Sequence, residues 1–448
     1  MSKLEKNDLI DWFVSGEKPK KEWKIGTEHE KFVFHENSFN RVGYFGKSGI
    51  SELLNKLAEK NNWEKILENN NTIALRDHTG ASISLEPGGQ LELSGKPLEN
   101  LHQTCKETGL HLKMMKDVMS ELGLSMIGLG YDPKWSRSDQ NWMPKGRYEI
   151  MKNYMPKVGN LGLDMMLRTC TIQVNLDYFS EKDMVQKFQI SLALQSVATA
   201  LFANSPFIEG KASGYLSSRA MVWTDTDPDR TGVPGIVFDP NFGYESWLNY
   251  ILQVPMYFIY REGKYIDVSG QSFKDFMDGK LIGFEGQYPT IKDWEDHITV
   301  AFPEVRLKQY LEMRGADGGP WNIICALPAL WVGLLYDDQS QSEAFDLAKP
   351  LMDVGMLEEG RISAAKLGLG GKIGENSIEY LATEMLKISS SGLSRRNKLD
   401  KKGIDERQFL DPLFHILQNK ETGAEKLLKN YNNSWSKDIN KIFTESSY

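Results

Sequence analysis

Cysteine is scarce in this chain of 448 residues. Cys105, Cys170 and Cys325 are the three present, and none forms a C-x-x-C pair. Such a set is no disulfide framework and supplies neither a zinc cage nor a dithiol redox centre. Cys105 lies on the apolar stripe of a helical pattern and Cys170 and Cys325 in apolar strings, where a thiol reads as a small buried hydrophobe. Long apolar runs are missing too. The greasiest stretch, Cys325 to Leu335, is short for a bilayer span and contains Pro328. The N-terminal residues lack the apolar core of a signal peptide and are too acidic for a transit peptide. Positive charge is not in excess either: Lys+Arg 53 against Asp+Glu 61 gives a formal net charge of −8, without the electrostatic footprint of a nucleic-acid binder. These absences predict a soluble cytoplasmic protein of a reducing cytosol, with no nucleic-acid or membrane partner.

What is present is a globular balance, 40% hydrophobic and 25% charged. The length suits two or three average domains or one large enzyme domain, and no repeat or Ser/Gly-rich linker divides it. Residues 4–14 have helical spacing. Trp23–Phe34 reads as a strand, as does Ala81–Leu93 with a break at Pro87-Gly88-Gly89. A helix of roughly 25 residues opens at Pro97. Leu124–Gly130 and Leu167–Tyr178 read as strands, 181–203 as a buried helix and 204–241 as a long polar stretch. Tyr257–Tyr260, Tyr265–Val268 and Val305–Arg314 are further strands, and the chain is mostly helical from Trp321 onward. Strands scattered among helices without βαβ alternation predict an α+β fold with an antiparallel sheet. The one phosphate-loop lookalike, Gly368 to Gly374, fails. Lys366 stands where the first Walker glycine belongs, and Ile373 replaces the Ser/Thr that would reach Mg²⁺. It reads as a connector between helices.

Four segments carry candidate chemistry. In GTEHEKF, Glu28 and Glu30 share one face of a strand; such a pair suits either a solvated face or a bridging hard cation. In LEPGGQLELSG, Glu86 and Glu92 bracket a glycine turn and Gln90 shares a face with Glu92, with Leu91 and Leu93 on the buried face. In TIQVNL, Gln173 and Asn175 share a face before an apolar layer of Ile172, Val174 and Leu176. In FPEVRLKQYLEMRGADGG, Glu304 pairs with Arg306 and Glu312 with Arg314, as cross-strand ion pairs or as carboxylates beside phosphoryl-binding guanidinium groups. Taken together, strands with acids, amides and arginines on one face are costly in an acidic chain unless divalent cations bridge them to a polyphosphate. ATP chemistry without a P-loop is therefore one reading that the residues allow. Glycoside hydrolysis also uses acid pairs in a cleft but leaves the Glu-x-Arg pairs unexplained.

The strings GTEHEKF, LEPGGQLELSG, LHQTC, KGRYEIMKNYMPKVGNLGLDMMLRTCTIQVNLDY, ALFANSPF, DTDPDRTG, FPEVRLKQYLEMRGADGGPW and CALPALWVGLLYDD together resemble the glutamate–cysteine ligase family of plants and many proteobacteria. The resemblance runs in order from about residue 20 to 336 and continues faintly through AEKLLKNY. It implies a single catalytic domain over 1–448, with a core at about 20–336 and a mostly helical part at about 337–448. It implies a curved antiparallel β-sheet funnel of the glutamine-synthetase-like type, surrounded by helices. The implied reaction is ATP + L-glutamate + L-cysteine → γ-glutamylcysteine + ADP + phosphate, the first step of glutathione synthesis, with Mg²⁺ as cofactor. On this likeness Glu28, Glu30, Glu86, Glu92 and Glu312 are expected to bind Mg²⁺, with Gln90 and Gln173 beside them and Glu86 essential to catalysis. Arg314 is expected on the transferring phosphoryl group, with Arg306 and Gln173 toward the nucleotide. Arg147, Arg219 and Arg168 are expected on substrate carboxylates, and Trp223 as a wall of the amino-acid pocket. The partners would be ATP, L-glutamate and L-cysteine, for a monomer or homodimer. Two other readings stay open: a ligase of this fold using a different amine, and a catalytically silent binding or regulatory relative.

Overall fold

The computed structural model describes residues 3–448. At its centre is a nine-stranded sheet made of β1 (Ile25–His35), β2 (Glu64–Glu68), β3 (Asn71–Arg76), β4 (Ser82–Leu85), β5 (Leu91–Ser94), β6 (Leu124–Ile127), β7 (Thr171–Leu176), β8 (Val305–Leu307) and β9 (Leu311–Asp317). The strand order is β8–β9–β7–β1–β5–β4–β3–β2, with β6 along the second half of β1. Every pairing in this sheet is antiparallel, as the absence of βαβ alternation predicts. β1 is the axis. Its first half pairs with β5 and β7 and its second half with β6.

One side of the sheet is sealed by helices. α1 (Leu101–Glu121) lies against β1 and β6, and it presents Leu101, Cys105, Leu112, Met115, Val118 and Met119 to the core. α2 (Glu181–Leu201) runs along β8 and β9. α3 (Trp321–Leu335) is buried against β7 and α1, and α4 (Ile378–Arg396) crosses α3. The crossing is close because both helices offer glycine there: a Cβ on Gly392 would strike the carbonyl of Gly333. All three cysteines are free and buried, and burial pushes the Cys105 thiol up, as does the neighbouring Cys325.

Three elements differ from the sequence reading. α1 begins at Leu101, not Pro97, because Leu98 joins the edge of β1 through Ile25 (N···O 3.0 Å) and the Asn100 side chain caps the helix by accepting from Gln103 N at 3.0 Å. Leu167 and Arg168 end a helix, Gly162–Arg168; the strand after it starts only at Thr171, beyond a Thr169 hydroxyl bonded to Met165 O at 2.7 Å. Val305–Arg314 is not one strand but the β8–β9 hairpin, closed by Lys308 N donating to Tyr310 O at 2.8 Å. The 368–374 segment is a connector, leading from the helix Val354–Leu367 through a two-residue ribbon to α4.

The polar 204–241 stretch is bolted to the sheet by one side chain. Asp317, fully buried at the end of β9, accepts from Asn204 N (2.8 Å) and the Ser205 hydroxyl (2.6 Å) on one oxygen and from the Ser217 hydroxyl (2.7 Å) on the other. Ser217 in turn caps the short helix Ser218–Val222, so Arg219 is placed relative to β9 by this knot. Asp317→Ala leaves a buried N–H and two hydroxyls without acceptors. It is expected to lower stability by about 3 kcal/mol in urea unfolding, and a loss below about 1 kcal/mol would show that the segment is held by other contacts.

Candidate active site

On the side of the sheet away from α1, a cavity of about 460 Å³ opens over β5, β1, β7 and β9. Strand register sets its floor in three rows. Ser84, Glu92 and Glu30 are successive cross-strand neighbours; so are Ser94, Glu28 and Gln173; so are Asn175, Glu312 and Arg306. Glu86 and Gln90 reach the cavity from the β4–β5 turn, where Gly89 takes φ +81° and a Cβ on Gly88 would collide with Leu167 O. The opposite wall comes from three pieces. Lys145 and the helix Gly146–Tyr154 supply Arg147, Tyr148 and Met151; Gly162–Arg168 supplies Met165 and Met166; the 218–223 segment supplies Arg219 and Trp223. The structure thus brings Glu28, Glu30, Glu86, Glu92, Glu312, Gln90, Gln173, Arg147, Arg219, Trp223, Arg306 and Arg314 around one space.

The carboxylates fall into two electrostatic groups. Burial alone would raise Glu312, but Arg306, Lys308 and Arg314 together outweigh it and hold this carboxyl well below the usual range. Arg306 Nε lies 2.7 Å, Arg314 Nη1 3.3 Å and Lys308 Nζ 3.7 Å from its oxygens. The other four have neutral hydrogen-bond donors or none. Glu28 accepts from Asn175 Nδ2 (2.8 Å), Glu30 from Thr171 N (2.8 Å) and Glu92 from the Ser84 hydroxyl (3.0 Å); the Glu86 carboxyl has no hydrogen-bond donor among the described residues. Burial, then the charges of Glu312 and Glu92, pushes Glu28 up to about 7. Burial, then Glu86 and Glu92, raises Glu30 well above the carboxylate range. Burial raises Glu86 against the pull of Lys145, Arg147 and Arg314, and raises Glu92 together with Glu86. Such a layer holds protons or awaits cations. Among the described residues no three acid or imidazole side chains close around an ion by themselves. A Mg²⁺ ion held by one or two carboxylates and completed by phosphate oxygens and water suits this donor set.

Four of the cations have capacity to spare. The Arg147 guanidinium lies over the Phe258 ring, 5.2 Å from its centroid, and its buried Nε has no acceptor. Arg219 donates one bond, to Arg314 O at 2.7 Å, and stands beside the Trp223 ring at 5.9 Å with Nε unpartnered. Arg314 Nη1 bonds Gln173 Oε1 at 3.0 Å. Lys145 makes only long bonds, to the Tyr148 hydroxyl at 3.3 Å and Leu85 O at 3.4 Å. Arg306 is different. Besides Glu312 it bonds the carbonyls of Thr299 (3.0 Å) and Ala301 (2.9 Å), so its guanidinium braces the hairpin.

Two residues of the sequence reading stand elsewhere. Arg168 is turned away from the cavity, bonded to Asp164 at 3.1 Å and Glu209 at 3.3 Å and stacked 4.8 Å over Tyr131. It lines a separate surface hollow with Asp164 and Glu209, which corrects its expected place on a substrate carboxylate. Glu304 does not stand with Arg306; it pairs with Arg361 at 2.8 Å. The sequence reading missed Lys145, Tyr148, Lys308 and Tyr310. Lys145 was findable beside Arg147 in KGR, whereas Lys308 and Tyr310 come to the site only through the hairpin.

A family model described as glutamate-cysteine ligase family 2 matches residues 24–445. Among curated proteins, the chain is 51% identical to "Glutamate--cysteine ligase, chloroplastic" of Medicago truncatula, over 99% of this chain and 85% of that one. It is 52% identical to "Glutamate--cysteine ligase A, chloroplastic" of Oryza sativa subsp. indica, over 99% and 88%, and 51% identical to the Arabidopsis thaliana protein, over 99% and 83%. These relatives are chloroplastic, which overturns the cytoplasmic location expected from the N-terminal residues. A solved glutamate–cysteine ligase of Francisella tularensis in complex with AMP is similar with a TM-score of 0.54 over 94% of this chain and 88% of that one, at 13% identity. That likeness is one of fold, and it bears out the expected α+β ligase architecture.

The raised acids give a pH signature. A carboxyl whose folded value exceeds its unfolded one retains its proton longer when folded, so stability falls as pH rises between the two values. For Glu28 the window runs from 4.5 to about 7. Without ligands the wild-type protein is expected to lose up to about 3 kcal/mol across that window relative to Glu28→Gln, in urea unfolding at a series of pH values. Parallel curves for the two proteins would place Glu28 in contact with water or a cation.

Proposed function

The chain belongs to glutamate-cysteine ligase family 2, and from that membership we propose that its cavity joins the γ-carboxylate of L-glutamate to the amine of L-cysteine at the expense of ATP, the first step of glutathione synthesis. The observation that carries the reading is the pairing of four half-buried carboxylates lacking cation partners with the under-used cations Lys145, Arg147, Arg219 and Arg314 around one space. A cavity so built has use for both a triphosphate with its divalent cations and a dicarboxylate.

The chemistry follows from a poor leaving group. Glutamate's γ-carboxylate cannot expel oxide, so it takes the γ-phosphoryl group of ATP and becomes γ-glutamyl phosphate. The cysteine amine attacks that carbonyl, the C–O bond to phosphate breaks, and the amine's proton is lost as the amide forms. Arg147 and Arg219 hold the glutamate carboxylates, each with an unspent Nε, and Trp223 walls that subsite. Arg314, fixed by Gln173 and Glu312, would stabilise the charge spread over the transferring phosphoryl oxygens. The same preorganisation keeps the two reactants in line. Glu28, Glu30, Glu86 and Glu92 would hold Mg²⁺, with Glu312 contributing through an oxygen not taken by Arg306. When bound, the ion neutralises the phosphates and lets these acids ionise. Met151, Met165, Met166 and Tyr148 exclude water from the activated acid.

ADP release is expected to require both glutamate and cysteine when the protein is offered ATP, Mg²⁺ and a panel of amines. An amine that outperforms cysteine by a wide margin would reassign the acceptor. Glu86→Gln is expected to abolish turnover with an unchanged melting temperature, and near-normal activity would remove Glu86 from the metal set. Arg219→Ala should raise the KM for glutamate more than that for ATP; the reverse order would put this residue on the nucleotide.

A further inference from the structure

On the edge strand β2, burial runs against polarity. Glu64, Lys65 and Leu67 are exposed, and the residue hidden from water is Glu68, 9% exposed, at the end of the strand. A buried carboxylate needs a partner. The one Glu68 has among the described residues is a backbone N–H: its Oε1 accepts from Gly146 N at 2.6 Å. Gly146 opens the helix Gly146–Tyr154, which carries Arg147. The first N–H groups of a helix lack partners within it, and a carboxylate there also meets the positive end of the helix dipole. Lys145, at the N-cap, has no acceptor in its side chain and makes no cap bond. Glu68 supplies the missing acceptor from 78 residues away.

The same helix start is held from a second side. The hairpin of Phe258–Arg261 and Lys264–Asp267 sets the Tyr265 ring edge-on to Phe258, with centroids 4.8 Å apart, and Phe258 is the ring beneath the Arg147 guanidinium. A Cβ on Gly146 would strike Glu68 Oε1 and crowd the Tyr265 ring. Glycine is therefore what lets the Glu68 carboxylate and the hairpin meet on one turn of helix. Arg147 rests on an aromatic face with its Nε unpartnered, and a ring face fixes a guanidinium less sharply than a carboxylate fork does. Its aim into the cavity depends on the backbone beneath it.

We propose that Glu68 is a positioning residue for substrate-carboxylate binding: by pinning Gly146 from the edge of the sheet it fixes where Arg147 presents its guanidinium. Glu68 does not line the cavity and acts through the helix start alone. The inference rests on the reading in which Arg147 holds a carboxylate of glutamate. An ionised acceptor makes a stronger bond than an amide, but an amide of the same length reaches the same N–H. Glu68→Gln therefore keeps the geometry, whereas Glu68→Ala abolishes it.

The test titrates L-glutamate by calorimetry into the full chain saturated with Mg²⁺ and a non-hydrolysable ATP analogue, with steady-state KM values measured alongside. Glu68→Ala is expected to weaken glutamate binding by at least about fivefold while the KM for ATP moves by less than about twofold. Glu68→Gln is expected to return to within about twofold of the wild type, and Glu68→Ala to add less than about twofold once Arg147 is already alanine. Unchanged glutamate affinity in Glu68→Ala would overturn the inference. So would equal weakening toward glutamate and ATP, or the same loss with and without Arg147, since either makes Glu68 a prop of the fold in general. Should Glu68→Ala not fold, Glu68→Asp, with an acceptor one methylene short of Gly146 N, carries the same expectations. If Arg147→Ala binds glutamate as the wild type does, the ligase reading has misplaced Arg147 and the inference falls with it. A loss in Arg147→Ala that Glu68→Ala does not share sinks the inference alone.

Discussion

Carboxylates brought together without enough cations beside them dominate this fold. Glu28, Glu30 and Glu92 meet because antiparallel register makes them neighbours, and Glu86 joins them from a turn whose glycines let it sit close to the helix wall. Buried like charges are tolerated only by holding protons or by sharing a cation. Everything around them is arranged to keep that tension local. Glu312 is saturated with positive charge, Arg306 is consumed in bracing its hairpin, and Arg147 and Arg219 are left under-used at the far wall. The apolar side of each strand, with Ile172, Val174, Leu91 and Leu93 nearly inaccessible, anchors the layer against helices.

In the proposed condensation the two groups of charge would divide the labour. The acid layer would serve a metal-bound triphosphate, and the guanidinium groups with free donors would serve carboxylates. Neither group suffices alone. The Asp317 knot links them, since it fastens the segment bearing Arg219 and Trp223 to the strand bearing Glu312 and Arg314. A small error in that fastening would be felt as misalignment of two reactants, to which rates of this kind are sensitive.

How much of this was legible in the sequence follows from the range of the forces involved. Period-two alternation in GTEHEKF, LELS and TIQVNL is a local property, and it placed Glu28 with Glu30, Gln90 with Glu92, and Gln173 with Asn175 on shared faces. The antiparallel class came from the spacing of elements. Pairings between segments distant in sequence were not legible from alternation alone: that Glu30 would face Glu92, or that Arg168 would turn to Glu209 and Tyr131, depends on tertiary docking. The hairpin at Lys308–Tyr310 was missed because VRLKQYLEMR alternates well enough to pass for one strand, and its turn has no glycine or proline to mark it. Capping by Asn100 displaced the start of α1 for a similar reason, a side-chain bond overriding the proline signal.

The division of β1 between two sets of partners has an evolutionary corollary. Its first half is zipped to β5 and β7 and its second half to β6, so the strand cannot slide along one set without unzipping the other. A single-residue deletion between Thr27 and Lys31 would turn every side chain on one flank of the break inside out, exchanging acids for histidine and lysine. Substitution can therefore explore this strand residue by residue, but a change in its length is closed to it.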